Sequence, residues 1–408
     1  MDLLSTEMNQ PPRRFVAHSM MFRTLAAAIG LLLGGASAVF AQIDPYPRSL
    51  VQLGYDQSLT SQGPQSLYAY YYYNNPEFLG TNVALRLAAA PVYLDAELGF
   101  PGLFTPQTSL GIGINGGAFG DNYYEVRQGQ FFKDQSFNGH GGGASLNLYH
   151  RLNPAQMIPL NLIVRGGAHY STYTTTQNTD DQFTLPESFV TTIARLGLRF
   201  AGKEPMLYAD LAMEVSIWYE HQWRSQASAY GFSADRAVQP GTDLYWLYAG
   251  LSYAWTNTGH QFTFAMTAGG SENADRFSAW RLGGVLPLAA EFPLTLPGYY
   301  YEEISARRFV HFSAAYVAPL SADHRWQLRL GAASAYVDYL PGFEQSGHWQ
   351  TGAGPSLEFT SKSEVWRVIL RYGYGFNALR DGQEGAHSLG LLYQYNFERR
   401  KDRNAALQ

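Results

Sequence analysis

Apolar and polar side chains alternate with a period of two through most of the chain after residue 48. Trp366, Val368, Leu370, Tyr372, Tyr374 and Phe376 take one phase, and Arg367, Ile369, Arg371, Gly373, Gly375 and Asn377 the other. Phe262, Phe264, Met266 and Ala268 alternate with Gln261, Thr263, Thr267 and Gly269. Leu207, Ala209, Leu211, Met213, Val215, Ile217 and Tyr219 alternate with Asp210, Glu214, Ser216 and Glu220. Leu160, Leu162, Val164 and Tyr170 alternate with Asn161, Arg165, Gly167 and His169. At the end of the chain, Leu389, Leu391, Tyr393, Tyr395 and Phe397 oppose Ser388, Gly390, Gln394 and Asn396. Such a period puts successive side chains on opposite faces of a strand. One face here is greasy and aromatic, while the other is small, polar or charged. The asymmetry suits an all-β, antiparallel transmembrane barrel with lipid outside.

Read this way, the sequence predicts sixteen strands, at 48–58, 66–74, 82–90, 92–100, 108–118, 137–151, 158–173, 188–200, 206–223, 242–256, 260–270, 307–319, 325–339, 348–361, 364–378 and 386–397. The strand ending at Phe397 closes the barrel against the one near Leu50. The connections alternate in length. Gly120–Ser136, Thr174–Glu187, Arg224–Gly241 and Ser271–Ala306 are long, whereas Asn153–Gln156, Gly202–Pro205, Asn257–Gly259, Ser321–His324 and Ser361–Ser363 are short. Bacterial barrels keep short turns on the periplasmic side and long loops outside. Both ends of the barrel then lie in the periplasm.

Composition sharpens the compartment. Arg23 precedes an apolar run from Leu25 to Leu33 and small residues up to Ala41, the pattern of a secretory signal cleaved after Ala41. It fits best with translation starting at Met20 or Met21. The barrel then occupies 42–397, and 398–408 is a polar periplasmic tail. The chain has no cysteine, so a secreted fold must rest on backbone pairing and packing. Its 41 glycines, 29 tyrosines and 24 phenylalanines suit crowded lumen positions and interfacial girdles. The formal charge of −5 becomes −6 without residues 1–41, which carry three arginines and two acids. That mild acidity argues against nucleic acid as a partner.

The last strand, with Gly390, Tyr393, Tyr395 and Phe397, resembles the C-terminal assembly signal of outer-membrane barrels. The resemblance implies insertion by the barrel-assembly machinery, although a tail follows Phe397 here. The eleventh connection is also unusual for a loop. It holds Trp280, Val285, Leu286, Leu288, Phe292, Leu294 and Leu296, which favours folding back into the lumen or onto the rim. Its Arg281-Leu282-Gly283-Gly284 and Pro297-Gly298-Tyr299 segments, followed by five strands, resemble the sixth external loop of the Omp85 (surface antigen) superfamily. In that superfamily an "LGG" element precedes a loop tip that enters the lumen. The resemblance implies a plug or latch and a role in moving or inserting proteins or lipids. It also implies a latch aspartate near Asp338. This sequence departs from it with Pro297 in place of the tip arginine, and with no periplasmic domain before the barrel. Strict alternation from Trp326 puts Asp338 outward. Arg281 is the candidate substitute cation, with Arg276 as an indifferent control, and Glu302-Glu303 reads as a solvated acidic rim.

Other chemistry is sparse. Arg165, Arg195, Arg199, Asp210 and Glu214 fall on the inner phase, where acids and bases on neighbouring strands can pair. Arg325, Arg329, Arg367 and Arg371 make a basic inner patch that would suit anions in a passive pore. His387 and Ser388 are adjacent in one strand and point to opposite faces. His140 reads as strand entry and Asp180-Asp181 as a polar loop, so no catalytic pair emerges. No histidine cluster has metal-ligand spacing, and no cofactor is implied. The run Tyr70–Tyr73 reads as interfacial girdle. Three classes stay open: an Omp85-like barrel, a passive pore or small-solute transporter, and a structural or adhesive barrel. If the terminal strand is the assembly signal, Phe397→Ala lowers the amount of protein in the outer membrane; unchanged levels on membrane fractionation would remove that role.

Overall fold

The computed structural model describes residues 47–64, 66–118, 123–202, 211–255, 257–284 and 292–398. The signal region, Asp210, Val285, Leu286, Leu288 and the tail beyond Glu398 lie outside these residues. Sixteen strands form the wall among the described residues. They are β1 (Arg48–Ser58), β2 (Ser66–Asn75), β3 (Ala84–Ala90), β4 (Tyr93–Thr105), β5 (Thr108–Ala118) and β6 (Gln130–Arg151). Then follow β7 (Leu160–Thr175), β8 (Phe189–Ala201), β9 (Leu211–Arg224), β10 (Gly241–Trp255) and β11 (His260–Glu272). The last are β12 (Ile304–Pro319), β13 (Trp326–Tyr339), β14 (Trp349–Thr360), β15 (Trp366–Arg380) and β16 (Gln383–Asn396). Each pairs antiparallel with its sequence neighbours, and β16 pairs with β1 from Leu50↔Asn396 to Ser58↔Ser388. The ring is closed, so the wall has no free edge.

Alternation decides the two faces. On β9, Met213, Val215, Ile217 and Tyr219 are exposed on the outside, and Ser216, Trp218 and Glu220 are buried inside. Aromatic rings gather at the short-turn end, where the Phe359 ring centroid lies 4.7 Å from that of Trp326 and 5.2 Å from that of Trp366. Trp223, Tyr336 and Trp349 stand exposed near the other end. The Tyr70–Tyr73 run divides between the faces. Tyr71 and Tyr73 stack outside, whereas Tyr70 and Tyr72 stack on the inner side, with Tyr72 buried. Only half of that run is girdle, because four consecutive strand residues cannot share a face.

Two features depart from the sequence reading, and the lengths of the ladders add a third that it did not address. β6 begins at Gln130, seven residues early, because Tyr123–Arg127 pairs with its upper part in a tall hairpin. The third and fifteenth connections, Pro91-Val92 and Asp381-Gly382, are as short as the turns at the opposite end. The ladder between β2 and β3 has five residue pairs, from Tyr71↔Ala89 to Asn75↔Leu85, while the closing seam has nine. That closing seam is further tied by Gln52 Nε2 to Gln394 Oε1 at 2.9 Å and by the Leu59 amide to the His387 carbonyl at 2.7 Å. Fewer paired groups mean a lower cost of local opening. Amides of β3 facing β2 are therefore expected to exchange with solvent faster than those of β16 facing β1; the reverse order in hydrogen-exchange mass spectrometry would show the five-pair ladder is not the weak seam.

Candidate functional site

The connection between β11 and β12 turns inward. Trp280–Leu282 pairs with Ile304–Ala306, and the chain then passes through Gly283 and Gly284. Those glycines form a backbone hub. The Gly283 amide donates to the Leu294 carbonyl and its carbonyl accepts from the Leu296 amide; Gly284 does the same with the Tyr300 carbonyl and the Glu302 amide. Gly283 has φ 140°, and a β-carbon there would meet the Tyr300 carbonyl oxygen. The Leu282-Gly283-Gly284 segment thus knits both returning limbs of the loop.

The tip lies on the inner wall. Leu282, Leu294, Leu296 and Tyr299 form one buried apolar cluster with Ile304, Phe309, Ala333, Ala335, Val337, Ala378 and Ala386. Pro297-Gly298 crosses a floor of alternate glycines on β14 and β15. A β-carbon on Gly352 would collide with the Pro297 carbonyl, and one on Gly373 would press on the Gly298 amide. Gly298 has φ 88° and lies against the backbone of Gly375, so both its conformation and its space require glycine. Its amide donates to Ser388 Oγ at 3.2 Å. Tyr299 donates to Gln350 Oε1 at 2.8 Å, and His311 Nε2 lies 2.9 Å from the Thr295 carbonyl. Across the lumen, Phe292 meets the edges of Trp218 and Trp246, which stack on each other at 5.8 Å.

A buried ion pair holds the tip. Arg380 Nη1 and Nη2 donate to Glu303 Oε1 and Oε2 at 2.8 and 2.9 Å, with both side chains 1% exposed. The guanidinium also lies 3.5 Å over the Tyr300 ring. Glu303 Oε2 accepts in addition from the Tyr300 amide at 2.8 Å. The cation belongs to the wall and the carboxylate to the loop. The predicted partners take other places. Arg281 donates to the Glu302 carbonyl, and Asp338 pairs on the outside with Arg307 at 3.1 Å. The structure does not bring Arg281 and Asp338 together. Glu303 is no solvated rim. Its neighbour Glu302 is half-buried, and burial pushes its carboxyl above the usual range, against the hydrogen bond from Tyr301 and the charge of Arg276.

Alternation could not reveal Arg380. Counting by twos from Arg371 and Gly375 puts residue 380 outside, but a bulge between Gly375 and Leu379 shifts the phase and turns Arg380 inward. The glycine floor was visible in the sequence as inward glycines at 352, 354, 373 and 375, a pattern that marks close backbone approach.

Above the tip, four connections seal the mouth. Phe137, Tyr173, Phe183, Phe189 and Tyr230 form a buried cluster, packed by Tyr123 and Phe277. Asp275 pairs with Arg224 at 2.6 Å, and Arg276 with Glu125 at 3.3 Å. Arg276 is therefore buried in the cap and is no indifferent control, because removing it takes a cation away from the buried Glu125 carboxylate. Below the tip a cavity of about 870 Å3 remains, lined by Phe292, Tyr299, Arg86, Glu97, Arg329 and Arg371 among others. Its wall charges are largely paired, as Arg195 with Glu220 at 2.5 Å and Arg199 with Glu214 at 3.1 Å. Arg325 is not part of this inner patch; it sits at the short-turn end over the outward Phe359 ring. At the same end Phe397 meets Tyr395 and Tyr71 at 4.9 and 6.4 Å, just beyond β16.

This barrel is similar in fold to CdiB from Acinetobacter baumannii, with a TM-score of 0.56 and 12% identity over 86% of this chain and 60% of that one. CdiB from Escherichia coli gives 0.54 and 15%, over 86% and 63%. BamA from Haemophilus ducreyi lacking POTRA domains 1-3 gives 0.53 and 11%, over 94% and 80%. The chain spans about three fifths of the CdiB lengths. No protein-family model and no curated protein matches it. The shared property is the fold, a closed sixteen-stranded antiparallel barrel.

Breaking a buried pair by removing one partner costs about 3–5 kcal/mol, whereas replacing both with apolar residues is often close to neutral. Glu303→Gln is expected to lower the unfolding temperature clearly, and Glu303→Leu with Arg380→Met to recover much of it. Arg281→Gln, which loses hydrogen bonds to one carbonyl, should cost less. Equal melting of Glu303→Gln and the parent in heat-modifiability gels would rule out the latch.

Proposed function

We propose that this is an outer-membrane, Omp85-type barrel that moves or inserts proteins or lipids, and that its own eleventh connection closes the resting lumen. The observation that carries this reading is the loop tip seated on the inner wall by Glu303 and Arg380. A static pore would need only a constriction. The contacts that hold the tip (the ion pair, the apolar cluster and the hydrogen bonds to Ser388 and Gln350) are separate from the wall's ladder, so releasing it need not unfold the wall. The fold likeness to CdiB and BamA supports the same class.

In this reading the chain is exported by the general secretory route through residues 1–41. The barrel-assembly machinery recognises Gly390, Tyr393, Tyr395 and Phe397, and lipid covers the outer face. Arg281, Leu282, Gly283, Gly284, Pro297, Gly298 and Tyr299 act as the scaffold and tip of the plug. No catalytic group and no cofactor are needed. The closing seam is poorly suited to lateral opening because of its nine pairs and its side-chain ties. The five-pair ladder between β2 and β3 is the better exit from the wall.

The passive-pore alternative draws on the 870 Å3 chamber beneath the tip. Planar-bilayer conductance separates the two. The plugged barrel should be nearly silent, with brief openings that become frequent in Glu303→Gln and steady when residues 277–303 are deleted. A large, steady conductance of the unaltered protein would favour the pore.

A further inference from the structure

Two external connections meet the latch, each through a glycine. Tyr300, whose ring face lies on the Arg380 guanidinium, is 2% exposed. The first connection, residues 59–64, lies against it. A β-carbon on Gly63 would collide with Cδ1, Cε1 and Cζ of the Tyr300 ring, so the Gly63 backbone touches the ring closely. The Tyr300 hydroxyl donates to the Thr60 carbonyl at 3.4 Å, and the same carbonyl accepts from Ser58 Oγ at 2.7 Å. The second contact comes from the tall hairpin between β5 and β6. A β-carbon on Gly129, at its turn, would collide with the Leu379 carbonyl oxygen. That carbonyl also accepts from Arg380 Nη1 at 2.5 Å.

Both connections are anchored elsewhere as well. The Leu59 amide donates to the His387 carbonyl, and the His387 amide donates to Thr60 Oγ1 at 3.1 Å, which carries the closing seam beyond the end of β1. Ser61 Oγ donates to Asp381 Oδ1 at 3.4 Å and ties the first connection to the turn between β15 and β16. The hairpin is held through Glu125, which pairs with Arg276, and through the Tyr124 carbonyl, which accepts from Arg276 Nη2 at 2.6 Å. One connection thus joins the seam to Tyr300 of the loop. The other joins the outer limb of the loop to Leu379 of the wall.

A closely packed side chain leaves its place only if part of its enclosure moves. On one side of Tyr300, Arg380 belongs to β15 and is fixed by the ladder to β16. On the other, residues 59–64 lie between the paired parts of β1 and β2 and form no ladder of their own. The first connection is therefore the part that yields, since segments with few paired backbone groups open at the lowest cost. We propose that the latch is locked from the loop side. The first connection and the hairpin turn form a clamp on Tyr300 and Leu379, and the tip leaves the wall only after the clamp lifts. Opening then begins with a group that displaces the first connection, not with one that enters the chamber below the tip. Both glycines serve this fit, Gly63 by space alone and Gly129 by space and by its φ of 72°. The inference rests on the reading of the eleventh connection as a plug that opens, and it adds what controls the opening.

Planar-bilayer conductance of the full chain tests the clamp. The chain has no cysteine, so Ser61→Cys with Asp381→Cys supplies two thiols that a short bifunctional thiol reagent joins, with intact mass scoring the join. In a Glu303→Gln background, joining them should cut the frequency of openings about tenfold. Gly63→Ala, which sets a β-carbon against Tyr300, should raise that frequency about tenfold over the parent. Heat-modifiable mobility confirms that each barrel has formed, and the joined pair decides the matter if Gly63→Ala does not fold. Openings as frequent in the joined protein as in the unjoined one, or unchanged openings in a folded Gly63→Ala, would overturn the clamp. Deleting residues 277–303 separates the two levels. Steady conductance in the deletion keeps the plug, so a negative result with the joined pair then removes the clamp alone; a deletion that conducts like the parent removes both.

Discussion

Every backbone amide and carbonyl in a wall that faces lipid must find its partner inside the wall. An open sheet leaves two edges, so the ring has to close, and the remaining features follow from that closure. The closing pair runs over nine residues between β1 and β16. Once the ladder is complete, side chains have only two places to go. Outward positions collect Leu, Ile, Phe and the interfacial Tyr and Trp, and inward positions collect glycine, arginine and carboxylates. The same closure creates a lumen, and a sixteen-stranded lumen is too wide for its own wall side chains to fill.

The eleventh connection fills much of that space. Its apolar residues would be out of place on a solvated rim, and they are covered by alanines, Val337 and Phe309 on the inner wall. Apolar burial alone would not orient the tip. Orientation comes from short-range fits: Pro297-Gly298 over inward glycines, the Gly298 amide on Ser388, and the Glu303–Arg380 pair under Tyr300. Excluding water from that pair strengthens it and also makes it intolerant of losing one member. The pair adds to the apolar cluster and to the hydrogen bonds on Ser388 and Gln350. The aromatic cap made by the other long connections adds a second closure above it.

Much of this was legible beforehand because a two-residue period is simple to follow. The strand order, the seam near Leu50 and the inward arginines of β8 follow from alternation, and the apolar residues of the eleventh connection marked it as no ordinary loop. The glycines of Leu282-Gly283-Gly284 stood out as places for tight backbone, and they form the hub of the loop. Where the pattern misled, a local irregularity was responsible. Arg380 lies beyond the strand read at 364–378, and the β15 bulge reverses the phase before it, so alternation gave no sign of the wall's latch cation. Glu303 looked like a rim residue because neighbouring carboxylates usually are solvated, and nothing local distinguishes it from Glu302.

By itself, the sequence determined a closed sixteen-stranded antiparallel barrel, its two faces and the loop that cannot stay in water. Those properties depend on the order of apolar and polar residues along one dimension. Tertiary structure alone decided which groups meet across the lumen. Residues 303 and 380 are 77 positions apart, and their pairing requires ring closure, a bulge and a glycine floor together. Asp243, Glu272, Arg308 and Asp338 come from four strands and form one cluster only because the ladder brings them into register. Period fixes the face of a residue, but only register and bulges fix its neighbours.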